Sequence, residues 1–76
     1  LLKRRENEMV ELPIAAVDRI IRKATGKRVS EKAAEALAEI LEDLGSQIAR
    51  EAATLAEHAG RRTVRDVDIR LAAKRL

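Results

Sequence analysis

Seventy-six residues are room for one small domain, and a chain of that size buries proportionally little of its surface. With no cysteine, one histidine and no aromatic side chain, it has no disulfide framework, no Cys/His set for zinc and no ring on which a base could stack, which leaves oligomerisation as the remedy for a small core. The net charge of +3 conceals an asymmetry: residues 31–59 carry seven acids and two bases, a balance of −5, and the rest carries fourteen bases and six acids, a balance of +8. Such clustering fits a polyanion met through the ends and loops, and on charge alone it fits a solvated mixed-charge surface equally well.

The first ten residues are set apart as a leader or tail, and a folded domain is expected over 11–76. The stretch LLKRRENE precedes Met9, which looks like a natural initiator; Lys3, Arg4 and Arg5 in a real tail would add phosphate contacts. Pro13 suits the first turn of a helix, where its missing N–H costs nothing. Beyond it Ile14, Val17, Ile21 and Ala24 recur at spacings of three and four, with Ile20 beside them, while Asp18, Arg19, Arg22 and Lys23 take the other side. This predicts a short amphipathic helix that Thr25-Gly26 ends.

Lys27-Arg28-Val29 is a bridge, after which Ser30 makes a good N-cap and Glu31 sits favourably in a new first turn. The next pattern runs to Ala59, with Leu37, Leu41, Leu44, Ile48, Ala52, Leu55 and Ala59 again three or four apart. At ~1.5 Å per residue that helix is roughly 43 Å long. Gly45 in its middle costs about 1 kcal/mol of helix propensity; it reads as a point of close approach, or as a mild kink. Gly60 ends the helix. Thr63-Val64 are β-favouring but too few for more than a bridge. Asp66 opens a last helix with Ile69, Ala72, Ala73 and Leu76 on one face, Val67 and Leu71 flanking, and Arg70, Lys74 and Arg75 toward its end.

The expected fold is therefore all-α: short helix, long helix, short helix. Two short helices cannot enclose the apolar and alanine-rich faces of the long one. Two chains crossing at their long helices would do so, with Leu37, Leu41, Leu44 and Ile48 as the dimer core.

Catalysis fits poorly. The nucleophile candidates Ser30, Ser46 and Thr63 have no spacing to His58 that makes a triad, and pairs such as Glu35/Glu39 are solvated helix faces. No phosphate-binding glycine loop is present, and no catalytic residue, metal or cofactor is expected. No apolar run is long enough to span a bilayer and no signal-like apolar segment opens the sequence, so a soluble cytoplasmic protein is expected. The two loops, TGKRVS and GRRTV, carry more information. Each is short and basic, with a hydroxyl near a β-branched residue. In a crossed dimer the first loop of one chain can lie beside the second loop of its partner, joining Lys27 and Arg28 to Arg61, Arg62 and Thr63. Guanidinium forks and loop N–H groups suit phosphate oxygens. Solvated loop charge is the equally weighted alternative at this point.

The stretches ELPIAAVDRIIRKA (11–24), KRVS (27–30), EHAGRRTV (57–64) and DIRLA (68–72) agree in order and spacing with the archaeal histones, which this sequence resembles from Glu11 onward. The resemblance implies the histone fold, an intertwined handshake dimer, and compaction of double-stranded DNA around homodimers that join into tetramers and longer, nucleosome-like assemblies on the chromosome. It implies that Arg28 enters the minor groove with Thr63 holding its side chain. Arg61, Arg62 and Thr63 would form the second-loop phosphate site, Arg19, Arg22 and Lys23 would meet DNA from the first helix, and Arg65 would keep a charge where relatives carry lysine. It also implies a contact between dimers through Leu55, His58, Asp68 and Leu71, with His58 paired to Asp68 across it and Arg61 buttressing Asp68 within the chain. Where the family usually reads A-G-A-E-R-V-S, this chain reads A-T-G-K-R-V-S. The bulkier Thr25 is expected to hinder close stacking, and Lys27 to strengthen phosphate attraction. A heterodimerising histone-fold module of a transcription complex is the alternative, and a sequence-specific DNA regulator a further one.

Overall fold

The computed structural model describes residues 10–76; the leader expected over 1–10 lies, apart from Val10, outside the described residues. Three helices follow in order: α1 (Ile14–Thr25, 12 residues), α2 (Glu31–His58, 28 residues) and α3 (Asp66–Lys74, 9 residues). The described residues contain no strand, and Thr63-Val64 are irregular. The chain divides into two compact units, with the boundary inside α2: one ends at Asp43, the other is Leu44–Leu76.

In the first unit, Pro13 stands one residue earlier than expected. It is the N-cap of α1 rather than part of its first turn, with φ −64° and ψ 120°. That extended ψ turns its carbonyl onto the N–H groups of Ala16 (3.1 Å) and Val17 (3.2 Å), and its own missing N–H falls outside the ladder. The approach to the helix is tied to α2, because the Glu11 N–H donates to Glu42 Oε2 at 2.6 Å. Gly26 closes α1 in the left-handed region (φ 69°), its N–H donating to the Arg22 carbonyl at 2.8 Å. Ser30 caps α2 as expected: its Oγ accepts the Ala33 N–H at 3.0 Å. The buried residues here are Val17, Ala34 and Ala38. Alanines four apart leave a shallow face, which is what lets a short helix lie close to a long one.

In the second unit α2 ends one residue sooner than Ala59. Gly60 (φ 72°) donates to the Glu57 carbonyl at 2.9 Å and Arg61 N–H donates to the Ala56 carbonyl at 2.9 Å. These are the two bonds of a Schellman ending, and only a residue without Cβ takes that φ freely. Ala52, Ala56 and Ala72 are buried, and Arg75 donates to Glu51 at 2.7 Å, fastening the end of α3 to α2.

Among the described residues no apolar side chain larger than valine is buried. Leu37, Leu41, Leu44 and Ile48 are each only half-buried. Ile20, Ile40, Val67, Leu71 and Leu76 are exposed, Val67 by 56% and Leu76 by 64%. A core made of alanine and one valine offers little apolar area, since burial stabilises by about 25 cal/mol per Å². Among the described residues of one chain, no leucine or isoleucine is fully enclosed.

Candidate nucleic-acid interface

The cations of the first unit lie along α1 and the loop that follows. Arg19, Arg22, Lys23, Lys27 and Arg28 are all exposed. Arg22 forms an ion pair with Asp18 one turn back. Among the described residues Arg19, Lys23, Lys27 and Arg28 have no ion-pair partner. The loop holding Lys27 and Arg28 is braced at both ends by hydroxyls. Thr25 Oγ1 donates to the Ile21 carbonyl at 2.8 Å and accepts the Lys27 N–H at 3.1 Å, and Ser30 caps the far side.

In the second unit the arginines divide. Arg61 turns its fork inward: Nη1 and Nη2 donate to Asp68 Oδ2 and Oδ1 at 2.7 and 2.8 Å, and Nη1 also reaches the Thr63 carbonyl at 3.2 Å. Asp68 takes a third donor, the Arg65 N–H, at 2.9 Å. This is the acidic half of a capping box on α3; a guanidinium has no lone pair to return, and the Asp68 N–H bonds the Arg65 carbonyl at 3.1 Å instead. The bond from Arg61, then that from the Arg65 N–H, hold the Asp68 carboxyl down at about 2 against burial that pushes it up, and the same pairing raises the Arg61 guanidinium. Arg62, Thr63 and Arg65 are exposed, and neither Arg62 nor the Arg65 side chain has an ion-pair partner among the described residues.

The residues expected between dimers are placed as follows. Leu55 is half-buried and His58 is exposed as the last residue of α2, where positive charge is favourable. Leu71 is 45% exposed, and Asp68 is buried at 4% with three donors already on it. The in-chain buttress of Asp68 by Arg61 is present as expected. The brace at Thr25 is the feature that sequence reasoning missed. A threonine just before a helix-ending glycine was its signal, since such a hydroxyl can reach the carbonyl one turn back. No group of three metal-ligating side chains occurs among the described residues, and no described helix is long and apolar enough to cross a membrane.

The family model described as histone-like transcription factor (CBF/NF-Y) and archaeal histone matches residues 10–73. The chain belongs to this histone-fold family. One subunit of the archaeal histone HAN1 of Thermococcus zilligii is 56% identical over 66 residues, covering 87% of this chain and 98% of that protein. Probable archaeal histone 3 of Methanocaldococcus jannaschii is 46% identical over the same extent, again 87% and 98%. The short–long–short helices are thus those of a histone fold. The helix-joining loops of this histone-fold chain carry cations that are unpaired among the described residues.

Proposed function

We propose that this histone-fold protein binds double-stranded DNA as an architectural component of the chromosome, wrapping and compacting it as homodimers that join into larger assemblies, with little sequence specificity. The observation that carries this reading is the division of the cations. Lys27, Arg28, Arg62 and Arg65 stand exposed on or beside the helix-joining loops, and none of their side chains makes an ion pair among the described residues. Arg61 is turned inward onto Asp68, and the exposed arginines that are paired, Arg22, Arg70 and Arg75, lie on helices or at a helix end, so the cations of the two loops other than Arg61 stay available to a polyanion. In a crossed dimer the first loop of one chain and the second loop of its partner make one phosphate site, with Arg28 directed into the minor groove beside Thr63. Arg19, Arg22 and Lys23 extend that site along α1. Arg61 serves it through Asp68, by holding the second loop in shape. Phosphate contacts and DNA deformability dominate such binding.

Leu37, Leu41, Leu44 and Ile48 are the proposed dimer core, which accounts for large residues left half-buried in one chain. Leu55, His58, Asp68 and Leu71 are the proposed contact between dimers. His58 reaches Asp68 of the next dimer at Oδ1, the oxygen with a single in-chain donor.

The test is binding to mixed-sequence duplex DNA across a salt series, with nuclease digestion of the same complexes. Affinity should fall as salt rises, and Arg62→Ala should make the log–log slope shallower by about 0.9 for each phosphate no longer neutralised. Arg61→Ala should leave that slope nearer to the wild-type value and act on stability. A ladder of protected lengths supports joined dimers, and salt-independent binding refutes the reading. The family description also covers histone-like transcription factors. A heterodimerising module would be monomeric or insoluble alone, whereas the homodimer should elute as such from a sizing column.

A further inference from the structure

We propose that Thr25 is a positioning residue for DNA, acting through Lys27; this rests on the DNA-binding reading above. The Thr25 hydroxyl donates to the Ile21 carbonyl at 2.8 Å and accepts the Lys27 N–H at 3.1 Å. It thereby uses both its capacities on backbone, one on the end of α1 and one on the loop. Between the two lies Gly26 at φ 69°, a residue with wide backbone freedom. Left alone, the peptide after Gly26 could swing and carry the Lys27 side chain with it. Accepting the Lys27 N–H fixes that peptide plane against the last turn of α1. Ser30 fixes the other end of the loop through its cap on Ala33 at 3.0 Å. Lys27 and Arg28 are thus presented from a segment held at both ends, and neither has a carboxylate partner among the described residues. The physical gain is entropic: a lysine whose backbone is already set loses less freedom on meeting a phosphate.

The test is a double-mutant cycle on the full chain, with Thr25→Val, Lys27→Ala and the pair, each titrated with a short mixed-sequence duplex over a salt series. Valine keeps the branched shape of threonine and can neither donate nor accept. Thr25→Val should weaken binding about two- to tenfold, the range of one hydrogen bond, and make the salt slope shallower in the direction of Lys27→Ala. In the Lys27→Ala background it should add nothing, and Thr25→Ser, which keeps the hydroxyl, should restore affinity and slope. Affinity unchanged in Thr25→Val overturns the proposal, and so does an equal loss with and without Lys27. A DNA-free melt is run on each sample. A Thr25→Val protein that cannot fold also overturns it, because the hydroxyl then serves the fold. Salt-independent binding by the unaltered protein would instead sink the DNA reading itself.

Discussion

Asp68 and Arg61 show how two charged residues in one basic region come to differ from their neighbours. The Asp68 side chain is 5% exposed and the Arg61 side chain 22%, and their forks meet squarely. In the folded chain the carboxyl sits at about 2, below its ordinary 3.8. A depressed carboxyl contributes stability that is complete above the unfolded value and is lost as pH falls through the folded one. The melting midpoint should therefore drop as pH goes from about 4 to about 2, and Asp68→Asn should flatten that part of the profile while lowering the midpoint at neutral pH. An acid limb unchanged in Asp68→Asn would show that other carboxylates set it. The residue types in GRRTV were legible as a basic loop, but the inward turn of Arg61 could not be derived from composition or spacing. Only the resemblance to archaeal histones raised the Arg61–Asp68 pairing, and the positions of α2 and α3 decide it.

At the scale of elements, the ends of α1 and α2 were legible to within a residue because their chemistry is local, whereas α3 stops at Lys74, two residues short of the Leu76 expected on its face. Ser30 caps with its own hydroxyl, and Gly26 and Gly60 each take a positive φ within one turn of the last helical bond. Pro13 is a cap rather than a first-turn residue, with ψ at 120°, and the chain just before it is held by a bond no local pattern foretells, from the Glu11 N–H to Glu42, 31 residues away. The glycines differ in consequence. A Cβ at Gly60 would meet nothing within 4 Å, so the penalty of Gly60→Ala is backbone strain alone. It should cost about 1–2 kcal/mol, the usual penalty of a left-handed conformation for an L-residue, read by urea denaturation. A cost near zero would show that the Schellman ending rearranges freely.

At the scale of the whole molecule the decisive fact is what remains uncovered. Leucines and isoleucines along α2 and α3 stand half-buried or exposed while alanines take the interior. A folded state completed by a second copy should melt at a midpoint that rises with protein concentration. Gly45 sharpens this. In the single chain a Cβ there also meets nothing within 4 Å, so on helix propensity alone Gly45→Ala would stabilise by about 1 kcal/mol. If two long helices cross at that point, Gly45→Ala should instead lower the midpoint and weaken the dimer. A higher midpoint with the dimer intact removes the close approach.

Three helices, their order and most of their ends follow from local chemistry, because periodicity, caps and left-handed glycines act within a turn or two of chain. With the family match over residues 10–73, the sequence also determined the fold. The pairings of Arg61 with Asp68 and Arg75 with Glu51, the brace from Thr25 to its loop, and the burial of small side chains rather than large ones appear only once the helices are folded together. These depend on which groups from separate elements share one small volume, and charge pairing and burial are properties of that volume.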